Sequence, residues 1–312
     1  MDSPIEIGIM IEGQEDLTWD RFFKIAETVE SLGFDHLFRS DHLTPLENEP
    51  SVETLALWPS LTALALRTER IRFGPMVCAM TFRHPSMVAK MAASVSGLAN
   101  GRLDLGLGAG WYAGEHAMFG INYPKYVKRL ERLDEGAALI KHLFSGEKRS
   151  FQGKFYRLEE AINFPQPQNL NIIMGGKGEK TLKVVAKHAD EWNFSYQSVA
   201  LFREKSSLLN QNCEEIGRDP KGIRRSLMTP FVIGKNETAV QARINNHRQM
   251  FPSLPSNLAS WLEAGFIGGT AQQISDQIGA FVNAGVTRFM LQHNSLDDLE
   301  SLAELGTAVI SN

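Results

Sequence analysis

The sequence has little cysteine and no long apolar run. Only two cysteines, Cys78 and Cys213, occur in 312 residues, so neither a disulfide framework nor a cysteine zinc site is expected. No stretch approaches the roughly 18 consecutive apolar residues that indicate a membrane-spanning helix. The amino-terminal segment MDSPIEIGIM has neither the basic nor the apolar part of a secretion signal. These absences predict a cytoplasmic protein that does not bind a membrane.

An excess of charge of one sign is also missing. The chain holds 32 Lys and Arg against 36 Asp and Glu, for a net charge of −4. The basic residues are spread along the chain, so no nucleic-acid surface is expected. The eight histidines are scattered without the spacing of metal ligands, which predicts no metal site. A G-x-S-x-G turn is absent, which argues against a serine hydrolase.

What the sequence does contain is a regular alternation of short apolar segments and helical patterns. The apolar segments predict eight strands, at 5–11, 35–40, 71–80, 103–108, 172–174, 191–195, 223–233 and 287–291. Helical spacing follows at 17–32, 51–66, 84–99, 125–144, 181–189, 199–216, 237–250, 270–284 and 297–310. This alternation predicts an α/β protein with a parallel sheet. Eight repeats in a chain of this length favour a closed (β/α)8 TIM barrel over an open sheet.

The barrel pattern has two interruptions. We expect one domain over residues 1–312, with insertions near 145–170 and 234–269. The first insertion is polar and contains FQGKFY at 151–156, which is typical of a small hairpin. The second is longer than an ordinary connection and is expected to cover the barrel.

Active sites of TIM barrels lie where the strands end, so the residues at those exits are the candidates. Asp41 and His42 follow the second strand, and a neighbouring acid and imidazole can exchange protons. A solvated turn is the alternative for this pair. Met76, Val77 and Ala79 lie at the exit end of the third strand and predict an apolar wall suited to a planar ring. Ordinary core packing is the alternative there.

Glycines mark the exit of the fourth strand. Gly108, Gly110 and Ala113 match a dinucleotide G-x-G-x-x-A pattern. The match is weak, because that pattern belongs after the first strand of its fold. We interpret the glycines of 108–110 and Ala109 between them as backbone that approaches a bulky ligand, with Trp111 and Tyr112 as walls.

The exit of the fifth strand has the pattern of a phosphate site. Gly175, Gly176 and Gly178 separate the strand from the following helix, and Lys177 lies among them. Strand, glycine turn and helix form a geometry in which the free N–H groups of the first helical turn point at an anion. Lys177 can add a positive charge. An ordinary tight turn is the other interpretation.

Five motifs in this order resemble a known family. They are SDH at 40–42, FRHP at 82–85, GRLDLGLGAGW at 101–111, MGGKG at 174–178 and ADEWN at 189–193. Together they resemble the bacterial luciferase-like monooxygenase superfamily, and within it the branch that uses the deazaflavin coenzyme F-420 instead of FMN. The resemblance covers nearly the whole chain.

The resemblance implies a (β/α)8 barrel with insertions, often assembled as a homodimer. It places Asp41 and His42 beside the deazaflavin ring. It implies a bulge at Met76-Val77 with a non-prolyl cis peptide behind the ring. It also implies that 108–110 borders the cofactor and that 175–178 holds its phosphate. Ala79 departs from the family, which often has a threonine in contact with the cofactor at that position.

The function expected from this resemblance is an oxidoreductase that transfers a hydride between coenzyme F-420 and a small organic substrate. His42 or Asp41 would exchange a proton with the substrate or orient its oxygen. Three alternatives stay open: an FMN-dependent luciferase-like monooxygenase, a non-catalytic protein that binds a flavin or deazaflavin, and a barrel without a nucleotide. The sequence does not identify the substrate.

Overall fold

The protein is described here from a computed structural model that covers residues 5–49 and 51–310. Residues 1–4, 50, 311 and 312 lie outside the described residues, and so do the corresponding ends of the domain predicted over 1–312. None of the helices within the described ranges is both long and apolar enough to cross a membrane.

The strands and helices alternate through the described chain. The strands are β1 (Glu6–Ile11), β2 (His36–Arg39), β3 (Arg72–Pro75), β4 (Cys78–Ala79), β5 (Leu105–Gly108), β6 (Arg149–Gln152), β7 (Arg157–Ala161), β8 (Ile172–Gly175), β9 (Glu191–Ser195), β10 (Arg224–Ile233), β11 (Ile267–Gly269) and β12 (Arg288–Gln292). The α-helices are α1 (Trp19–Ser31), α2 (Leu57–Arg67), α3 (Pro85–Leu98), α4 (Ala113–Met118), α5 (Tyr126–Leu143), α6 (Glu179–His188), α7 (Val199–Glu215), α8 (Glu237–Met250), α9 (Leu258–Glu263), α10 (Ala271–Val282) and α11 (Leu299–Val309).

The parallel strands form the predicted (β/α)8 barrel. Their order is β3-β2-β1-β12-β10-β9-β8-β5-β4, and β11 pairs with the outer end of β10. The third barrel strand is divided into β3 and β4, because the Met76-Val77 peptide between them is cis. A bridge between Phe73 and Leu103 joins the two ends of the sheet, with Asp104 N donating to Phe73 O at 2.9 Å. The eight strands predicted from the sequence are therefore confirmed.

Apolar side chains hold the helices against the barrel. In α1, Phe22, Ile25 and Val29 follow helical spacing and are buried, and Thr18 caps the helix by accepting a hydrogen bond from Arg21 N at 3.2 Å. Burial of one such side chain contributes about 1.5–3 kcal/mol. A second, smaller cluster fills the barrel interior and includes Met10, Phe38, Met76, Ile173 and Met290.

A buried ion cluster fills the amino end of the barrel. Arg288 Nη1 lies 3.0 Å from an oxygen of Asp104 and 2.8 Å from one of Glu191, and Arg288 Nη2 lies 2.6 Å from Glu6. These residues stand at the first positions of their strands or just before them. Because charged side chains occupy that end, the room for a ligand lies at the carboxyl ends of the strands.

The prediction of a helix at 51–66 was wrong at its start, because α2 begins at Leu57. The backbone of Leu55 is used in contacts outside the helix: its N–H donates to Gly13 O at 3.4 Å, and its carbonyl accepts from Arg39 Nη2 at 2.7 Å. These bonds satisfy Leu55 and hold residues 51–56 outside the helix.

The two interruptions have structure of their own. The predicted hairpin is confirmed as β6 and β7, which pair antiparallel with Phe151 opposite Leu158. The segment 234–269 contains α8, α9 and β11, of which α9 and β11 were not predicted from the sequence. Residues 113–118 also form a helix, α4, that was not predicted.

Candidate functional site

Two adjoining cavities open at the carboxyl ends of the strands. The larger has a volume of about 530 Å³ and the smaller about 200 Å³. Ser40, His42, Met76 and Trp111 line both. The smaller cavity brings together eight of the residues predicted from the sequence, namely Asp41, His42, Met76, Val77, Ala79, Gly108, Ala109 and Gly110.

His42 is held by a buried carboxylate. Its Nδ1 lies 3.0 Å from Oε1 and 3.2 Å from Oε2 of Glu115. Glu115 is 1% exposed, and its Oε2 also accepts the Leu43 N–H at 3.0 Å. The Trp111 ring packs edge-on against the imidazole, with the ring centres 5.6 Å apart. This arrangement fixes the ring and leaves Nε2 without a hydrogen bond to any described residue.

The charges around His42 favour its protonated form. Burial lowers the pKa of His42, but the hydrogen bond and the negative charge of Glu115 outweigh burial, with smaller contributions from Glu12 and Asp41. The pKa of His42 therefore lies above its ordinary value. An imidazole of raised pKa beside a cavity can deliver a proton or take one back near neutral pH.

Asp41 forms a bidentate ion pair with Arg83. Its Oδ1 accepts from Arg83 Nη2 at 3.0 Å, its Oδ2 accepts from Arg83 Nη1, and the Ala79 N–H lies 3.3 Å from Oδ2. Both oxygens of this buried carboxylate are therefore bound by the protein. The geometry suits a fixed polar border of the cavity better than free proton exchange.

The bulge between β3 and β4 has the form implied by the family resemblance, since the Met76-Val77 peptide is cis. A Cβ on Gly108 would lie 2.4 Å from Val77 Cγ2, and one on Gly106 would lie 2.1 Å from Pro75 O. Packing against the bulge alone thus requires these two glycines. Gly110 has a φ of +72°, which glycine adopts readily.

The predicted phosphate turn at 175–178 lies at the same end of the barrel, after β8, but it does not line either cavity. Gly176 has a φ of +119°, and its carbonyl accepts from Trp192 Nε1 at 2.7 Å. Gly178 caps α6 without a side-chain hydrogen bond in the described chain. The first N–H groups of α6 therefore lack a side-chain partner there, as an anion site requires. Lys177 lies between these two glycines.

Sequence reasoning missed several residues around the site. Arg83 lies in the FRHP motif but was given no role, and Glu115 was not singled out, because only the fold brings them to Asp41 and His42. Another group joins the ends of β1 and β12: Glu12 accepts from Gln14 Nε2 at 2.9 Å and from Gln292 Nε2. The position of Glu12 directly after β1, at a strand exit, could have indicated this residue from the sequence.

Within residues 5–49 and 51–310, no group of three or more His, Cys, Asp or Glu side chains is arranged to hold a metal ion. Burial raises the pKa of the Cys78 thiol well above its ordinary value, so this cysteine lacks the thiolate character of a nucleophile.

The fold and the cavities define a class: a TIM barrel with cavities at the carboxyl ends of its strands, where TIM-barrel enzymes have their active sites. The family model described as luciferase-like monooxygenase matches residues 3–288. The chain belongs to this family.

Curated relatives share part of the chain. An F420-dependent glucose-6-phosphate dehydrogenase of Microbacterium testaceum is 33% identical over 179 residues, which are 56% of this chain and 53% of that protein. An F420-dependent hydroxymycolic acid dehydrogenase of Mycobacterium tuberculosis is 28% identical over 238 residues, which are 76% of this chain and 65% of that protein. The chain thus spans between about half and two thirds of the length of these relatives.

Solved structures share the fold. An F420-dependent secondary alcohol dehydrogenase, solved with an F420-acetone adduct, has a TM-score of 0.85 at 18% identity and covers 99% of both chains. A long-chain alkane monooxygenase has a TM-score of 0.80 at 15% identity, covering 100% of this chain and 92% of the other. At these identities the likeness concerns the fold alone.

Proposed function

We propose that the protein is an oxidoreductase that transfers a hydride between coenzyme F420 and a small organic substrate. The observation that carries the proposal is the smaller cavity, which joins the acid–histidine pair, the bulge and the 108–110 backbone in one wall. The two relatives named above are both F420-dependent dehydrogenases, which supports the choice of cofactor.

The described residues fit a planar ring. Ala79, Gly108, Ala109 and Gly110 give one stretch of the wall no side chain larger than a methyl group. The smaller cavity shares four residues with the larger one, so a ring and a substrate have adjoining space. A bound deazaflavin supplies a carbon that accepts or releases a hydride, while the protein binds, orients and excludes water.

Each site residue has a proposed role. His42 exchanges a proton with the substrate through Nε2, and Glu115 positions it. Asp41, held by Arg83, forms a polar border for the cofactor. The turn at 175–178, with Lys177 and the amino end of α6, receives the cofactor phosphate.

The remaining proposals concern the whole molecule. We infer a single barrel domain with insertions near 145–170 and 234–269, which acts in the cytoplasm on a small molecule rather than on nucleic acid or a membrane. We also infer a homodimer, as family resemblance implies. Sedimentation analysis of the purified chain tests the dimer.

Equilibrium binding tests the cofactor. Purified apoprotein is titrated with F420 and, separately, with FMN, and fluorescence quenching is followed. We expect tight binding of F420 and weak binding of FMN. The reverse order would favour an FMN-dependent monooxygenase and call for an oxygen-consumption assay. Binding of neither would contradict the proposed function, and F420 binding without hydride transfer to any acceptor would indicate a binding protein.

A further inference from the structure

The larger cavity is mainly apolar. Its inner surface carries three methionines, Met10, Met76 and Met228, and the first two belong to the apolar cluster inside the barrel. Methionine side chains are flexible and polarizable, so they adapt to apolar ligands of different shape.

Aromatic and aliphatic side chains form the outer part of the same cavity. Phe251, Leu254 and Phe266 come from the segment 234–269, and Tyr196 follows β9. The rings of Tyr196 and Phe266 meet edge-on with centres 5.3 Å apart. Large apolar surfaces of this kind bind the hydrophobic body of a ligand.

Apart from His42, the charged side chains that line this cavity within the described residues are carboxylates. Within the described residues, its wall contains Glu12, Glu15 and Glu47 but no Lys or Arg. Each carboxylate is occupied by the protein: Glu12 by two amide groups, Glu15 by the Leu46 N–H at 2.7 Å, and Glu47 by the Ser253 hydroxyl. A phosphate entering here would meet three carboxylates and neither Lys nor Arg, with His42 as the one group able to carry a positive charge, which is unfavourable.

We propose that the substrate of this cavity is an uncharged molecule with an apolar body and one hydroxyl or carbonyl group, and that sugar phosphates are rejected. The inference rests on the proposed function, and it separates this chain from the glucose-6-phosphate dehydrogenases among its relatives. The apolar body contacts the methionine and aromatic surfaces, and the oxygen faces His42, which lines both cavities.

His42 and a bound deazaflavin together account for the proton and the hydride of this reaction. In the oxidative direction, the C–H bond of the alcohol breaks and its electron pair leaves as hydride to the oxidised deazaflavin. The O–H proton moves to neutral His42 Nε2, and the C=O bond forms. The reductive direction returns the hydride to carbon and the proton from His42 to oxygen.

The test compares secondary alcohols of increasing chain length with glucose 6-phosphate, using F420-loaded protein and following the loss of F420 fluorescence. We expect kcat/KM to rise with chain length and to exceed that for glucose 6-phosphate by at least about a hundredfold. Comparable or better turnover of glucose 6-phosphate would overturn the inference.

A second measurement does not depend on F420. Two ligands are added to the apoprotein: the ketone that corresponds to the longest of these alcohols, and glucose 6-phosphate. The binding of each is followed by ligand-observed NMR. Preference for the ketone supports the inference even if F420 fails to bind, in which case only the proposed function fails. Preference for glucose 6-phosphate contradicts the inference whatever the cofactor.

A charge introduced into the larger cavity tests whether this cavity binds the apolar body of the substrate. Met228→Lys should lower kcat/KM for the alcohols by about tenfold or more, while the Kd for F420 changes less than threefold. Met87→Lys is the matched control, because Met87 on α3 is 55% exposed and should leave both quantities unchanged. Equal turnover of the alcohols by Met228→Lys and Met87→Lys would contradict the proposal.

Discussion

His42 combines a restrained position with an open nitrogen. Glu115 and Trp111 hold the ring from two sides, while Nε2 has no described partner. A side chain arranged in this way serves chemistry more than cofactor affinity. We therefore expect His42→Ala to lower kcat by about a hundredfold or more, as for loss of a general acid or base, with little change in the Kd for F420. Normal turnover by this variant would show that the role assigned to His42 is wrong.

Glu115 is expected to act through His42. Its carboxylate opposes the effect of burial and raises the pKa of His42. Glu115→Gln keeps a hydrogen-bond acceptor for Nδ1 but removes the charge, so the pKa of His42 should fall. In a plot of kcat/KM against pH, the limb that reflects the ionisation of His42 should then move to lower pH. This shift is expected for both directions of hydride transfer. A profile of unchanged shape and position, merely lower in height, would indicate a purely structural role for Glu115.

The glycine turn after β8 offers a test that separates ligand contact from folding. A Cβ on Gly178 would have its nearest neighbours at 3.6 Å, an ordinary contact, whereas one on Gly176 would lie 2.9 Å from Thr181 Cγ2 at a φ of +119°. Gly178→Ala should therefore leave the free energy of unfolding nearly unchanged and weaken F420 binding by about tenfold, because the methyl group would enter the space proposed for the phosphate.

Two further variants complete this comparison. Gly176→Ala should weaken binding and also destabilise the protein, since it strains the backbone. Gly279→Ala in α10, where a Cβ meets no atom within 4 Å, should stabilise by about 0.5–1 kcal/mol and leave binding unchanged. F420 binding by Gly178→Ala with full affinity would mean that the turn is only structural.

The elements of this fold were predictable to different degrees. Strands such as β1 and β12 are short apolar runs whose pattern is local, so all eight barrel strands were found. The start of α2 was not, because Arg39 and Gly13 bind the Leu55 backbone from distant parts of the chain. Local spacing contains no information about such partners.

The site residues, like the elements, were predictable only in part. The strand-exit rule placed Asp41, His42 and the 108–110 backbone in one cavity without knowledge of their contacts. Glu115 was missed as the partner of His42, since 72 residues separate its carboxylate from the Leu43 N–H that it also binds. The contact between Glu47 and Ser253, which joins two loops at the larger cavity, spans 206 residues. Pairings of this kind exist only once the barrel closes.

The two ends of the barrel hold their ionisable groups differently. At the amino end, Arg288 is compensated by Glu6, Asp104 and Glu191, which favours stability over ligand binding. Near the carboxyl end, His293 follows β12 with neither ring nitrogen hydrogen-bonded among the described residues. The Nδ1 of the nearby His247 of α8 likewise has no hydrogen-bond partner in the part of the chain that the structure describes. These two imidazoles are buried in neutral form.

Acid should therefore destabilise the whole molecule. Burial lowers the pKa of His247 to about 4 and that of His293 to about 3, and the charge of His247 further lowers the pKa of His293. The other charges that act on this pair are Arg243, Asp297 and Asp298. Above the ordinary pKa of about 6.5, both imidazoles are neutral in the folded and unfolded states and contribute no pH dependence. Below it, the unfolded chain binds protons first, so stability falls until the pH reaches the folded values.

Urea unfolding at about pH 8 and pH 5 measures this loss, which should be about 2 kcal/mol for each of the two histidines. His293→Leu removes one of these titrating groups, and the imidazole has no hydrogen bond whose loss would complicate the comparison. Between pH 8 and pH 5, the free energy of unfolding of the variant should therefore fall by about 2 kcal/mol less than that of the unmodified protein. Other groups with shifted pKa values, such as His36, Asp35 and Glu191, also contribute to the total change, but they are present in both proteins and cancel in this comparison. An identical pH dependence in both proteins would show that His293 is already protonated, or partnered, in the folded state.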